Sequence, residues 1–132
     1  MKYLCLICAE TSYMMESLSP AERAAHFAEY GAFIESIRNS GHFIGGNRLL
    51  PPEAAATVRV RNGKVTTTDG PYAETKEHLG GYFMIEAKDL NEAILIASRI
   101  PGAKFGCVEV RPVAEDVQTM HILKDGGPGA AH

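Results

Sequence analysis

The chain has 132 residues, 13 basic against 16 acidic side chains and a formal net charge of −3, which limits the classes of protein it can belong to. This length suffices for one domain with a sizeable core. The net charge is negative and the basic residues form no cluster in the sequence. We therefore expect neither nucleic acid nor a membrane surface as a partner. The apolar runs are shorter than the ~18 residues of a membrane span, and residues 1–8 are too short for a signal peptide. The sequence therefore predicts a cytoplasmic protein.

The cysteines and histidines give no metal-binding pattern. Three cysteines, an odd number, fit a reducing compartment better than a disulfide framework. Cys5 and Cys8 lie in a β-type run, where residues three apart point to opposite faces. We interpret them as small buried hydrophobic residues rather than a redox or zinc site. The sequence predicts no metal and no cofactor.

The first half of the chain predicts a strand, a long helix and a second strand. Residues 2–8 are apolar on both alternating sets, as in a strand covered on both faces. Ser19-Pro20-Ala21-Glu22 is a capping box that starts a helix running to about Asn39. The next strand begins at Phe43, and its Gly45-Gly46 pair indicates a bulge or the close approach of another backbone.

The second half predicts a hairpin, a strand, a helix and a last strand. Residues 57–68 form a hairpin on a type I′ Asn62-Gly63 turn. Residues 82–87 again look buried on both faces. A second capping box at residues 89–92 starts a helix that ends before Pro101. In the last strand, 105–111, alternation places Glu109 and Arg111 on one face and Val108 and Val110 on the other.

The number of helices is too small to cover both faces of the predicted sheet. Two strands nevertheless look buried on both sides, so something else must cover the second face. In a chain this short, the simplest candidate is a second copy of the chain. We therefore predict a homodimer that forms by contact between sheet faces.

The connection from Thr68 to Gly81 is unusually rich in ionisable residues. Asp69-Gly70-Pro71 is typical of a turn, and charged residues follow at once. Core packing does not require this composition, so the segment is either a solvated loop or part of a functional site.

Three segments carry a family resemblance: Asp-Gly-Pro-Tyr-Ala-Glu-Thr-Lys-Glu from Asp69, Leu-Gly-Gly-Tyr from Leu79, and Val-Glu-Val-Arg-Pro at 108–112. Together they resemble the YCII-related proteins, in the branch named after an Asp-Gly-Pro-Phe motif, with Tyr72 in place of the Phe. The resemblance implies an α+β, ferredoxin-like antiparallel sheet with helices on one face, paired into a dimeric α/β-barrel. It implies a domain over residues 1–113, a C-terminal extension over 114–124, and a tail over 125–132 whose composition predicts disorder.

The resemblance also implies candidate catalytic residues, His26 and Asp69. YCII-type proteins that do chemistry use a histidine on the first helix with an aspartate, and one precedent is a chloro-hydroxymuconate dehydrochlorinase. A carboxylate beside an imidazole fixes its tautomer and supports acid–base chemistry on a small organic acid. The alternatives stay open: His26 as a histidine packed on aromatic rings, and Asp69 as a cap of its own backbone.

We predict further that a small-molecule cleft is lined by residues pointing away from the helices, with the motif turn as one wall. The candidate ligand-binding residues are Tyr72, Tyr82, Glu109 and Arg111. The competing interpretation is a non-catalytic binding or regulatory module, since proteins of this branch are often encoded beside extracytoplasmic-function sigma factors. A haem site like that of some dimeric α/β barrels is a third, weaker alternative.

Overall fold

The computed structural model describes residues 1–10, 17–116 and 121–124. Among the described residues up to 116, two α-helices and six strands follow the predicted order. The helices are α1 (Pro20–Asn39) and α2 (Leu90–Ala97). The strands are β1 (Lys2–Ala9), β2 (Phe43–Arg48), β3 (Ala56–Arg61), β4 (Lys64–Asp69), β5 (His78–Glu86) and β6 (Cys107–Pro112).

Four strands form one antiparallel sheet in the order β2-β5-β1-β6, while β3 and β4 pair only with each other. Within the larger sheet, β1 is antiparallel to both β5 and β6, and β5 is antiparallel to β2. The two strands that the sequence marks as apolar on both faces, β1 and β5, are therefore the central pair. The chain is an α+β domain, as predicted.

The core lies between one face of this sheet and the two helices. Its sheet residues alternate along the central strands, as Tyr3 and Cys5 do in β1 and Phe83 and Ile85 do in β5, and all four are buried. The helices contribute Phe33, Ile37, Ala93, Ile96 and Ala97. The opposite face carries Leu4, Leu6 and Met84, which are only half-buried. Leaving such apolar side chains partly exposed forgoes part of the gain from full burial, which is about 1.5–3 kcal/mol for each.

Both predicted helix starts are confirmed at the level of individual hydrogen bonds. In α1, the Glu22 backbone N–H donates to Ser19 Oγ at 3.2 Å, and the Ser19 N–H donates to Glu22 Oε1 at 3.0 Å. In α2, the Glu92 N–H donates to Asp89 Oδ1 at 2.9 Å. The Glu92 carboxylate, however, accepts from the Lys88 N–H rather than from that of Asp89.

The double glycines have the structural role that the sequence indicates. A Cβ on Gly46 would stand 2.7 Å from the Tyr82 carbonyl oxygen, and one on Gly81 would stand 2.9 Å from that of Asn47. The β2–β5 register shifts between Phe43 and Gly45, which confirms the predicted irregularity. The start of β5 was predicted too late: the strand begins at His78 because close pairing through its glycines extends the ladder into the motif segment.

The β3–β4 hairpin confirms the predicted turn, since Asn62 and Gly63 both have positive φ, 53° and 73°. Alternation places Val58, Val60 and Val65 on one face of this two-stranded ribbon. All three are more than half exposed. The hairpin thus carries an apolar face that nothing in the described chain covers.

The described residues cover only part of the C-terminal segment for which predictions were made. Residues 121–124 form a helical turn, while residues 117–120 and the predicted disordered tail, 125–132, lie outside the described residues. Within the described part of the chain, no helix is long and apolar enough to cross a membrane.

Candidate functional site

A cleft of about 260 Å³ opens between α1 and the helix-facing side of the sheet. One wall is α1, and the other is formed by the paired glycine segments of β2 and β5 together with the end of β1. Because Gly46 and Gly81 have no side chains, β2 and β5 can approach closely along this wall, where a Cβ on either glycine would stand within 3 Å of the other strand. The principal lining residues are Ile7, His26, Phe27, Tyr30, Ile34, Gly46, Arg48, Gly81, Phe83 and Phe105.

His26, on α1, is a titratable group that lines this cleft. Its ring meets the Tyr30 ring edge-on at 4.8 Å between centroids and lies 6.0 Å from the Phe105 ring. Burial among these groups lowers the pKa of the imidazole below its ordinary value of 6.5, the nearby Glu29 carboxylate opposes this, and the Lys104 ammonium adds to it. The imidazole is therefore neutral at physiological pH and can accept a proton.

Tyr30 supplies a second polar group at the floor of the cleft. Its hydroxyl oxygen accepts a hydrogen bond from the Gly102 backbone N–H at 3.1 Å, which leaves the phenolic proton as a donor. Burial raises the pKa of Tyr30, so the hydroxyl stays protonated. Gly102 fits here because a Cβ would stand 2.7 Å from that hydroxyl and 2.8 Å from Ile7 Cγ2.

The mouth of the cleft is polar on the β2 side. Arg48 and Asn47 border it, and Asn47 Nδ2 donates a hydrogen bond to the Tyr82 hydroxyl at 2.9 Å. An apolar cavity with a few polar groups at its wall and rim is the usual form of a small-molecule site. The guanidinium of Arg48 gives this rim a positive charge, which suits an anionic ligand.

Of the six predicted site residues, His26 and Tyr82 border this cleft and the other four do not. The Tyr82 side chain alternates with that of Phe83 and so lies on the same sheet face as Met84, away from the helices. Asp69 is the last residue of β4, paired with Ala56 and exposed. Tyr72 is 83% exposed in the connection that follows. Within one chain, the structure therefore does not bring the two candidate catalytic residues together in the cleft, and Asp69 is not among the charges that shift the pKa of His26.

Glu109 and Arg111 lie on the opposite face of the sheet and form an ion pair with each other. Their predicted alternation is correct, since Val108 and Val110 pack against the core. The prediction that these residues and His26 share one cleft is not met within a single chain, because α1 covers the face that Glu109 and Arg111 point away from.

The charged residues of the motif connection attach it to the rest of the sheet. Lys76 Nζ lies 3.2 Å from Glu10 Oε1, just beyond β1. The Cys107 thiol, at the start of β6, donates to Glu77 Oε1 at 3.7 Å. Thr75 Oγ donates to the Glu77 carbonyl oxygen. At the other end of the connection, Gly70 has φ 95°, which a residue with a side chain rarely adopts.

Sequence reasoning missed Arg48 and Phe105 as lining residues. Arg48 follows the Gly45-Gly46 pair by two residues. The close backbone approach predicted at these glycines was the signal that could have drawn attention to this part of β2. Phe105 carried no such signal, because only the tertiary fold brings residue 105 next to α1. Among the described residues, no cluster of three histidine, cysteine, aspartate or glutamate side chains is arranged to hold a metal ion.

Comparison with known proteins agrees with this architecture. An uncharacterized protein, R00369, of Rhizobium meliloti (strain 1021) is 45% identical over 69 residues, which is 51% of this chain and 56% of that protein. The chain thus spans about half the length of this relative. Among solved structures, 5-chloro-2-hydroxyhydroquinone dehydrochlorinase (TftG) of Burkholderia phenoliruptrix AC1100, in complex with 2,5-dihydroxybenzoquinone, superposes with a TM-score of 0.53. It is 15% identical, and the match covers 89% of this chain and 98% of that one, so the likeness is one of fold. The profile of the YCII-related domain matches residues 1–116, and the chain therefore belongs to the YCII-related family.

Proposed function

We propose that the cleft binds a small planar organic acid and that His26 acts on it as a general acid–base group in a lyase-type elimination. The observation that carries this proposal is the neutral imidazole at the wall of an apolar cleft. General bases work best when their pKa lies near the working pH and the proton they remove is within hydrogen-bond reach. The lowered pKa keeps the His26 imidazole unprotonated at neutral pH, as a base must be, and the cleft provides space for a substrate within hydrogen-bond reach.

The chemistry of such an elimination assigns His26 one step. Its unprotonated nitrogen takes a proton from carbon, the electrons of the C–H bond form a new double bond, and the leaving group departs with its own bonding pair. The fold neighbour TftG is a dehydrochlorinase, and this supports a reaction of the same type here.

Two further groups would hold the substrate. The Tyr30 hydroxyl has a proton to donate to a substrate oxygen, and Arg48 offers a positive charge at the rim. The aromatic rings around His26 favour a flat ligand, because stacked and edge-on ring contacts need a planar partner. A small aromatic acid or a hydroxylated quinone fits these features.

We further propose a homodimer in which the sheets pair face to face, so that the ferredoxin-like domain forms a dimeric α/β-barrel. Two observations support it: the half-buried Leu4, Leu6 and Met84 on the open face, and the exposed valines of the hairpin. In such an assembly Glu109 and Arg111 would line the space between the sheets. Asp69 and Tyr72, exposed in one chain, would be available to the site if a second copy carried them to it.

We retain Asp69 as the proposed partner of His26 and the assignment to the Asp-Gly-Pro-Phe branch on the strength of the motif at residues 69–72. The dyad is testable on its own. Asp69→Asn should leave the melting temperature nearly unchanged, because the side chain is exposed, and should abolish turnover if the carboxylate orients His26. A fully active Asp69→Asn variant would contradict the dyad and leave His26 as the sole base.

The proposed function is tested by binding and turnover together, with 2,5-dihydroxybenzoquinone and a panel of chlorinated hydroxyquinols as probes. The wild type should bind the quinone and release chloride from a chlorinated member of the panel. His26→Gln should lose turnover by about 10²–10⁴-fold, the range for a lost general base. Glu35→Gln, exposed on the same helix and outside the cleft lining, is the matched control and should keep full activity. Binding without chloride release by the wild type would overturn the catalytic proposal and identify a non-catalytic binding module.

A further inference from the structure

Cys8 and Cys107 form a pair that the sequence does not reveal. They are direct partners in the antiparallel register of β1 and β6. Directly opposed residues in antiparallel strands have Cα atoms about 4.5 or 5.5 Å apart, depending on the pairing type. Both values fall within the roughly 4.4–6.8 Å range that disulfides span. The backbone therefore already has the spacing of a cross-strand disulfide.

The side chains of this pair also lie on the same side of the sheet. Alternation places both on the face away from the helices, and each thiol is near enough to shift the pKa of the other. Cys107 is exposed and Cys8 is partly exposed, whereas Cys5 is buried in the core on the other face. The Cys5-x-x-Cys8 spacing noted in the sequence is thus not a functional pair, and the true neighbour of Cys8 lies at the far end of the chain.

We propose that Cys8 and Cys107 are a dithiol that hydrogen peroxide converts into an intrachain disulfide. In the first step the Cys107 sulfur attacks peroxide, an S–O bond forms, the O–O bond breaks, and the departing hydroxide leaves as water with the thiol proton. The Cys8 sulfur then attacks the sulfenic sulfur of Cys107. An S–S bond forms, the S–O bond breaks, and a second water leaves with the Cys8 proton. The two thiols lose two electrons and the peroxide is reduced to two waters.

The surroundings assign the order of the two cysteines. Cys107 is the more accessible sulfur and reacts first, and Cys8 is placed to resolve the sulfenic acid. Burial and the Glu77 and Glu109 carboxylates raise the pKa of the Cys107 thiol, and burial with the same neighbours raises that of Cys8. Because the thiolate is the reactive form, oxidation is slow at neutral pH and accelerates as the pH rises.

Oxidation also removes a hydrogen bond of the motif connection. In the reduced protein Cys107 donates its S–H to the Glu77 carboxylate, and a disulfide sulfur has no proton to donate. Closing the disulfide therefore frees Glu77 from β6, at the end of the segment that carries the family motif. This gives the dithiol a route to influence the connection between β4 and β5.

The experiment treats the whole protein with hydrogen peroxide, blocks remaining thiols under denaturing conditions, and identifies cross-linked peptides by mass spectrometry. The wild type should lose two of its three thiols and remain a single chain on a non-reducing gel, and dithiothreitol should restore both. Cys5 and Cys8 share one tryptic peptide, residues 3–23, so variants make the assignment. Cys8→Ser and Cys107→Ser should each abolish the cross-link, while Cys5→Ala should retain it.

Thermal unfolding adds a second readout. The oxidised wild type should melt several degrees higher than the reduced protein, since a cross-link between distant residues restricts the unfolded chain. Cys107→Ser should show no such shift on peroxide treatment. A cross-link between two chains, a Cys5–Cys8 link, or conversion of Cys107 to sulfinic acid with Cys8 still reduced would each overturn the proposal.

Discussion

Replacing Gly46 by alanine should destabilise the protein and distort the cleft, although the change adds a single methyl group. The new Cβ would stand 2.6 Å from Phe83 Cδ1 and 2.7 Å from the Tyr82 carbonyl oxygen. The carbonyl belongs to the paired strand β5 and cannot move alone. The Phe83 ring is held by Tyr30, Phe33 and Phe43, with centroids 6.3, 5.4 and 6.4 Å away. Neither neighbour can yield without disturbing the sheet or this aromatic cluster.

The size of the effect follows from the cost of overpacking. Forcing one extra carbon into a well-packed site costs about 1–3 kcal/mol. For a domain of this size, each kcal/mol shifts the melting temperature by roughly 3–5 °C. We therefore expect Gly46→Ala to lower the melting temperature by about 3–15 °C. Ligand affinity should fall as well, since Gly46 and Phe83 both line the cleft.

Gly45→Ala is the matched control, one residue earlier in the same strand. A Cβ on Gly45 meets nothing within 4 Å, and replacing glycine where alanine fits stabilises a protein by about 0.4–1 kcal/mol through the unfolded state. Its melting temperature, measured by circular dichroism beside that of Gly46→Ala, should equal or exceed that of the wild type. Equal losses in the two variants, or an unaffected Gly46→Ala protein, would refute the close-approach reasoning.

Two further predictions concern assembly and protonation. Met84→Glu places a charge on the open sheet face. Because burying an unpaired charge is costly, light scattering should show that this variant is a monomer and the wild type a dimer. A wild type that is monomeric at micromolar concentration would refute the dimer. The pKa of His26, followed by NMR titration, should lie below 6.5. The unfolded chain then binds more protons than the folded one near and below pH 6.5, so stability should fall as the pH drops through that window. His26→Gln should lose this part of the pH dependence, and a pKa above 6.5 would contradict the description of the cleft as desolvating.

Most of the fold could be predicted because its signals are local. The capping box at Ser19, the Asp89 N-cap, the Asn62-Gly63 turn and the period-2 pattern of β1 each act within a few residues. The start of β5 was missed because glycines inside a strand look like a loop in the sequence. Here they are strand residues, required by the closeness of β2.

The site was harder to predict because it depends on which face of the sheet α1 covers. His26 was found through the family resemblance. Glu109 and Arg111 were placed on the correct face of β6, yet that face turned out to be the one opposite the cleft. The pairing of Cys8 with Cys107 joins the two ends of the domain, and no local pattern predicts a contact of that kind.

A crystal structure of the protein with 2,5-dihydroxybenzoquinone would test the central claim most directly. The account predicts density for the ring between α1 and the sheet, with a ring oxygen or carbon within about 3.5 Å of the His26 imidazole and an oxygen near the Tyr30 hydroxyl or Arg48. Density on the opposite face, beside Glu109 and Arg111, with the α1 cleft empty, would contradict it.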